Sequence, residues 1–149
     1  NQQAAYDALS APMRNMLDGL GAVHSAGSQY AAGGSATSHS SMRTHNSERA
    51  MTRVVHPIVR THPESGRKGL FINEAYTMEI EGVTPDESKA LLSFLFRHAV
   101  SERFTCRVSW EPGTLVMWDN RSVQHQGVHD YAGQRRHMRR VTVRGDRPV

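Results

Sequence analysis

Trp118-Asp119-Asn120-Arg121-Ser122-Val123-Gln124-His125 is followed by Arg136, eleven residues after the histidine, and by Arg140, four residues later. A neutral imidazole ligates transition metals, and a guanidinium grips a carboxylate through two parallel hydrogen bonds. One histidine with two downstream arginines can therefore anchor a metal and an organic acid together. The combination points to metal-assisted chemistry on an anionic cosubstrate.

The same residues resemble the C-terminal signature of the taurine dioxygenase family of iron(II)- and 2-oxoglutarate-dependent oxygenases. Other segments resemble that family in the same order: Ala5 to Ser10, Arg60-Thr61-His62-Pro63-Glu64-Ser65-Gly66, Leu70 to Glu74, Leu91 to Leu95, and Gln134-Arg135-Arg136. The resemblance covers nearly the whole chain. It implies that His125 is the distal histidine of the iron site and that Arg136 pairs with the far carboxylate of 2-oxoglutarate. Arg140 is then a second arginine near the bound acids. The implied fold is a distorted double-stranded β-helix, or jelly roll, mostly β with helices (α+β) and incomplete at the N-terminus.

Enzymes of this kind hold iron with two histidines and one carboxylate, the first two ligands forming a His-x-Asp or His-x-Glu pair upstream of the segments resembled here. The His-x-Glu present is His62-Pro63-Glu64, inside a Thr-His-Pro segment that the resemblance places in a connecting turn away from the iron. Its proline restrains the backbone between the two side chains, and the Ser-Gly that follows reads as a turn. The 149 residues are accordingly expected to be the C-terminal portion of a single dioxygenase domain.

The resemblance further implies a reaction in which 2-oxoglutarate loses carbon dioxide as oxygen is reduced, leaving succinate and a hydroxylated product. Expected cofactors and partners are Fe(II), 2-oxoglutarate, O2 and a small anionic organic substrate of sulfonate, sulfate ester or aryloxyalkanoate type, for whose head group Arg140 is the candidate. The rival from another class is a noncatalytic jelly-roll binding or assembly domain that has kept the arginines and lost the iron.

Bulk properties agree with one globular domain, with a modest hydrophobic fraction of 38%. The single cysteine, Cys106, excludes an internal disulfide framework, and its place in an alternating run predicts a small buried apolar group. A reducing cytoplasm and a homo-oligomer are the expected setting. No apolar run reaches membrane-spanning length. The net charge of +4 comes largely from Arg135, Arg136, Arg139, Arg140, Arg144 and Arg147. Such a run can bind phosphate backbones, but an extended strand puts Arg136 and Arg140 on one face and Arg139 on the other, so no single basic stripe is expected and no nucleic-acid partner.

The elements that must position these groups are short. Residues 3–9 and 12–20 read as helices, with Ser10 as a cap, Pro12 early in the second, and Met13, Met16, Leu17 and Leu20 at helical spacing toward a core. From 25 to 47 the chain is rich in Gly, Ala, Ser and His and reads as a long flexible loop. Residues 54–59 and 70–72 read as strands about a Pro-Glu-Ser-Gly turn. Thr84-Pro85-Asp86-Glu87 is a capping box opening a helix through Leu91, Leu92, Leu95 and Ala99. Residues 104–110 alternate as a strand with one buried face, Glu111-Pro112-Gly113 turns the chain, and 115–118 and 139–143 read as further strands. Tyr76 stands where the resembled enzymes carry an aromatic facing the substrate, with ordinary packing as the alternative reading. Tyr30 is a second candidate of that type, His39 and His45 are expected in solvent, and His129 and His137 are expected at the periphery.

Overall fold

The computed structural model describes residues 1–30, 48–128 and 130–149. Helix α1 (Gln2–Asp7) starts at Asn1, whose side chain accepts the Ala4 N–H; α2 (Ala11–Leu17) starts at Ser10, which accepts the Met13 N–H, with Pro12 in the first turn. Each cap gives an otherwise unpaired amide a partner. Both helices are shorter than their sequence pattern predicts. Helix α2 stops at Leu17 because Asp18 takes an extended backbone and Gly19 a φ of +85°, a left-handed conformation that glycine adopts without strain. Leu17 is fully buried, whereas Met16 faces solvent.

Strand β1 (Gly21–His24), not expected from its Gly-Ala composition, is central in a three-stranded antiparallel sheet between β2 (Val54–Pro57) and β5 (Thr77–Ile80). Pairing on both edges overrides its weak intrinsic preference. The strand expected at 54–59 divides at Ile58. Its N–H donates to Leu20 O at 2.9 Å and its carbonyl accepts from Phe71 N at 2.7 Å, so the chain passes from the first sheet to a hairpin of β3 (Val59–Thr61) and β4 (Lys68–Leu70). Ile58 is completely buried at that switch. The stretch expected as a loop from 25 begins instead with a short helix α3 (Gly27–Tyr30), and a 3-10 turn at Glu48–Met51 follows its end. Ser25 Oγ donates to Ala50 O at 3.0 Å and ties its two ends together. His39 and His45, like His129, lie outside the described residues.

Helix α4 (Pro85–Ala99) has the expected capping box in full: Glu87 N–H donates to Thr84 Oγ1, and the Glu87 carboxylate accepts from the Thr84 N–H. The carboxylate is held below its usual range by these contacts. Leu92, Leu95 and Ala99 come together with Ala5 and Tyr6 of α1 and Leu70 of β4 in the core. Among the described residues, no helix is long and apolar enough to cross a membrane.

Beyond the 3-10 turn at Glu102–Phe104 the expected strands are not formed. Residues 105–110 are all exposed, and neither 115–118 nor 139–143 pairs with a described residue as a strand. Leu115 is 85% exposed and Val141 92%. Cys106 is exposed, not buried. A strand needs a partner both for its backbone hydrogen bonds and for its apolar face, and an alternating pattern alone supplies neither. The two-faced division of the arginines around 136–140 is likewise absent. The described residues thus form a mixture of helices and small antiparallel sheets, with fewer strands than a complete jelly roll. Thr84→Ala should cost about 1 kcal/mol by loss of the cap, and Leu95→Ala about 2–5 kcal/mol by opening a cavity, both read as shifts in chemical denaturation.

A histidine cluster lies across the first sheet. The His24 ring stacks on Phe71 at 5.7 Å and meets the edge of His56 at 5.3 Å, while its Nδ1 lies 3.4 Å from Thr77 Oγ1. Burial, then the neighbouring His56, lowers the His24 pKa to about 4; His56 is lowered in the same way by burial and by the charges of Arg147 and Arg60. The folded chain keeps His24 neutral where the unfolded chain would protonate it, so unfolding takes up a proton. Stability is complete above the ordinary histidine value of about 6.5 and falls as the pH drops from there toward about 4. Denaturant midpoints should decline across that window, and His24→Gln should flatten the decline; an equal slope in the variant would remove His24 as its source.

Candidate functional site

The turn at residues 119–122 is built around one carboxylate. Asp119 Oδ1 accepts from Arg121 N–H at 2.8 Å and Nε at 3.0 Å, Oδ2 accepts from Arg121 Nη2 at 2.8 Å, and the Asp119 carbonyl receives the Ser122 and Val123 N–H groups at 3.0 Å. His62 Nε2 stands 3.0 Å from Asp119 Oδ2, and Arg121 Nη1 donates to Glu64 Oε1 at 2.9 Å. The hydrogen bonds from Arg121, then that from His62, hold the Asp119 carboxyl far below the usual carboxylate range. Asp119, followed by Glu64, raises Arg121. The Gln2 N–H at the start of α1 donates to Ser122 O at 2.9 Å. The turn is therefore docked on both α1 and the β3–β4 hairpin.

Past the turn, the Gln124 side chain donates to Ile72 O and accepts from Asn73 Nδ2. His125 follows on the exposed side, its ring 4.5 Å from that of Trp118, which is turned by Trp118 Nε1–H donation to Asn120 Oδ1. Burial, then the charge of Arg140, lowers the His125 pKa, favouring the neutral, metal-ligating form. Tyr76 enters β5 from a turn in which Asn73 Oδ1 accepts the Ala75 N–H, and its hydroxyl is 3.4 Å from that of Tyr30 on α3. The rings are stacked at 6.5 Å. Burial, then the Tyr30 hydroxyl, pushes Tyr76 up to about 12, while the charge of Arg140 opposes the shift. The field of Arg140 thus reaches both His125 and Tyr76. Beside Tyr76 a cavity of about 300 Å³ opens between His24, Ser25, Ala26, Thr52 and Val54. Arg136 lies with its guanidinium carbon 5.1 Å from the Tyr131 ring centre and Nη1 alongside Gly127, two residues past His125.

His62 and Glu64 do not point at a shared ligand. His62 Nδ1 accepts the Glu64 and Ser65 N–H groups at 3.3 and 3.2 Å, so Nε2 carries the proton and donates to Asp119. Both ring nitrogens are in use, and Glu64 pairs with Arg121 in solvent. Among the described residues no three His, Cys, Asp or Glu side chains converge, so these residues alone do not form the three-donor site that iron requires. Sequence reasoning read Asp119 and Asn120 as a turn and missed Asp119, Arg121 and Gln124 as its anchors. The signal was an aspartate two residues before an arginine, a spacing at which the carboxylate can cap the backbone and hold the guanidinium together.

Residues 1–142 match the family described as taurine catabolism dioxygenase TauD, TfdA family. The chain is 40% identical over its whole length to the alpha-ketoglutarate-dependent dioxygenase cnsM of Penicillium expansum, covering 41% of that protein. It is 41% identical to the alpha-ketoglutarate-dependent 2,4-dichlorophenoxyacetate dioxygenase of Cupriavidus pinatubonensis, again over its whole length and 50% of the relative. The crystal structure of a taurine dioxygenase from Burkholderia xenovorans superposes on 74% of the chain with a TM-score of 0.57 at 36% identity, covering 33% of that structure. The chain spans half or less of the length of these relatives. With the match running through the Asp119 turn, His125 and both Arg136 and Arg140, the chain belongs to the TauD/TfdA family of dioxygenases.

Proposed function

We propose that this chain forms part of an iron(II)- and 2-oxoglutarate-dependent dioxygenase that hydroxylates a small anionic organic molecule, a sulfonate, sulfate ester or aryloxyalkanoate. The observation that carries this reading is the match of residues 1–142 to the TauD/TfdA family, a stretch that contains His125, Arg136 and Arg140. In the overall reaction 2-oxoglutarate and O2 give succinate and carbon dioxide while one oxygen atom enters a substrate C–H bond.

Each residue has a role its chemistry suits. His125 offers one nitrogen donor to iron, and the remaining donors come from a segment outside these 149 residues. That assignment is in keeping with the share of its relatives the chain spans and with the exposed apolar side chains of residues 105–143, which a further layer of strands would cover. The Arg136 fork pairs with the distal carboxylate of 2-oxoglutarate. Arg140 holds the anionic head group of the substrate, whose apolar part rests against Tyr76 and Tyr30.

The test is made on the whole enzyme supplied with Fe(II) and 2-oxoglutarate, with succinate as the readout. Turnover is expected, and His125→Ala should abolish both succinate formation and tight iron binding with the fold kept, since His125 lies outside the core. Undiminished iron binding in the variant would sink the assignment. Retained binding of 2-oxoglutarate without any succinate would favour a noncatalytic binding domain instead.

The arginines divide the two acids between them. Arg136→Lys keeps the charge and loses the planar fork, so the apparent constant for 2-oxoglutarate should rise by about 10- to 100-fold, as loss of one charge-assisted contact of about 1.5–3 kcal/mol implies. Arg140→Lys should act more on the constant for the primary substrate. Equal and small effects from both would make them surface charge.

A further inference from the structure

His62 lies on the hairpin, not in the candidate site, yet it is buried and every polar atom of its ring is committed. Its main chain is pinned as well: His62 N–H donates to Arg67 O and its carbonyl accepts the Gly66 N–H, both at 2.9 Å. Gly66 turns the chain there with a φ of +67°. Arg67 also pairs with Asp7 at the end of α1. The 62–67 turn is therefore closed by its own backbone hydrogen bonds, with His62 buried and Arg67 joined to α1 at the surface. From it, Nε2–H reaches Asp119 Oδ2 at 3.0 Å, and Glu64 reaches Arg121 at 2.9 Å. The turn they hold carries Trp118 at its entry and His125 at its exit, with the two rings in contact.

We propose that His62 is a positioning residue for His125, acting through Asp119. The hydrogen bond it donates fixes the Asp119 carboxylate on which Arg121 closes, and with it the Asp119 carbonyl that receives the Ser122 and Val123 amides, and this holds the Trp118–His125 ring pair at one angle. The inference rests on the functional reading above only in naming His125 as the group positioned. Loss of the link leaves the Asp119 carboxylate with Arg121 alone, a partner two residues away, while the turn stays joined to the rest of the chain through Glu64–Arg121 and Gln2–Ser122 at its far side.

Two substitutions separate this role from ordinary support of the hairpin, because they divide the ring between them. His62→Asn keeps an acceptor where Nδ1 receives the Glu64 and Ser65 amides, but its side chain is too short to reach Asp119. His62→Gln reaches Asp119 with a distal N–H and gives up the Nδ1 acceptor. In the whole enzyme, amide exchange at Ser122 and Val123 should accelerate about tenfold or more in His62→Asn and stay within about threefold in His62→Gln, as expected for loss or retention of one charge-assisted bond. The kinetic constants should follow: kcat falls in His62→Asn by more than the apparent constant for 2-oxoglutarate rises, and His62→Gln restores it. Asp119→Asn, measured beside them, should reproduce the His62→Asn exchange pattern if either histidine variant fails to fold. The reverse order, with His62→Gln impaired and His62→Asn like the unchanged protein in exchange, would overturn the proposal and leave His62 as a cap for its own turn. Exchange needs no turnover, so faster exchange in His62→Asn in an enzyme that makes no succinate would uphold the link and reject only the dioxygenase reading.

Discussion

An ionised carboxylate held at one place in the fold needs donors fixed around it, and the partly exposed Asp119 recruits them from different parts of the chain. The Arg121 side chain and amide come from its own turn, and His62 comes from the β3–β4 hairpin. The hairpin is in turn seated on α1 through Arg67–Asp7, and α1 donates the Gln2 amide to Ser122. A C-terminal segment with no strand pairing among the described residues thereby acquires a definite position at residues 119–124. Charged hydrogen bonds suit this task better than apolar contacts because they are directional.

Hydrophobic burial organises the other end of the molecule. Leu95 and Ala99 of α4, Ala5 of α1 and Ile58 at the crossing between the sheets exclude water from one continuous core. That core ends with the N-terminal two-thirds of the chain. Past Thr105, side chains such as Leu115, Met117, Val141 and Val143 stay in solvent, each forgoing burial worth about 1.5–3 kcal/mol. Val141 and Val143 alternate with Thr142 and Arg144, the period of a strand that covers one face, whereas 115–118 is an unbroken apolar run.

The candidate site sits where these two regimes meet. Tyr76 and Tyr30 are delivered by elements anchored in the core, β5 and α3, while His125, Arg136 and Arg140 come from the segment held by the Asp119 turn. Burial, with the charge of Arg140 second, lowers the His125 pKa, and the same charge opposes in small part the rise that burial imposes on the Tyr76 phenol.

Local chemistry was legible in the sequence wherever a few adjacent residues settle it. The Thr84-Pro85-Asp86-Glu87 box, the Ser10 cap and the Pro-Glu-Ser-Gly turn all depend on near neighbours, and they stand in the structure as read. Pairing was not legible, since a strand is stabilised by residues far away in sequence. The Gly-Ala-Val-His run became the central strand β1 because β2 and β5 flank it, while the better-patterned 104–110 stayed unpaired and left Cys106 in solvent. The same reason hid the His62–Asp119 bond: it spans 57 residues, and no spacing rule predicts that an imidazole in one turn will meet a carboxylate in another. Residue types and short spacings determine which groups are available for chemistry. The tertiary structure alone decides which of them share a charge, because electrostatic and hydrogen-bond energies depend on separation in space and not along the chain.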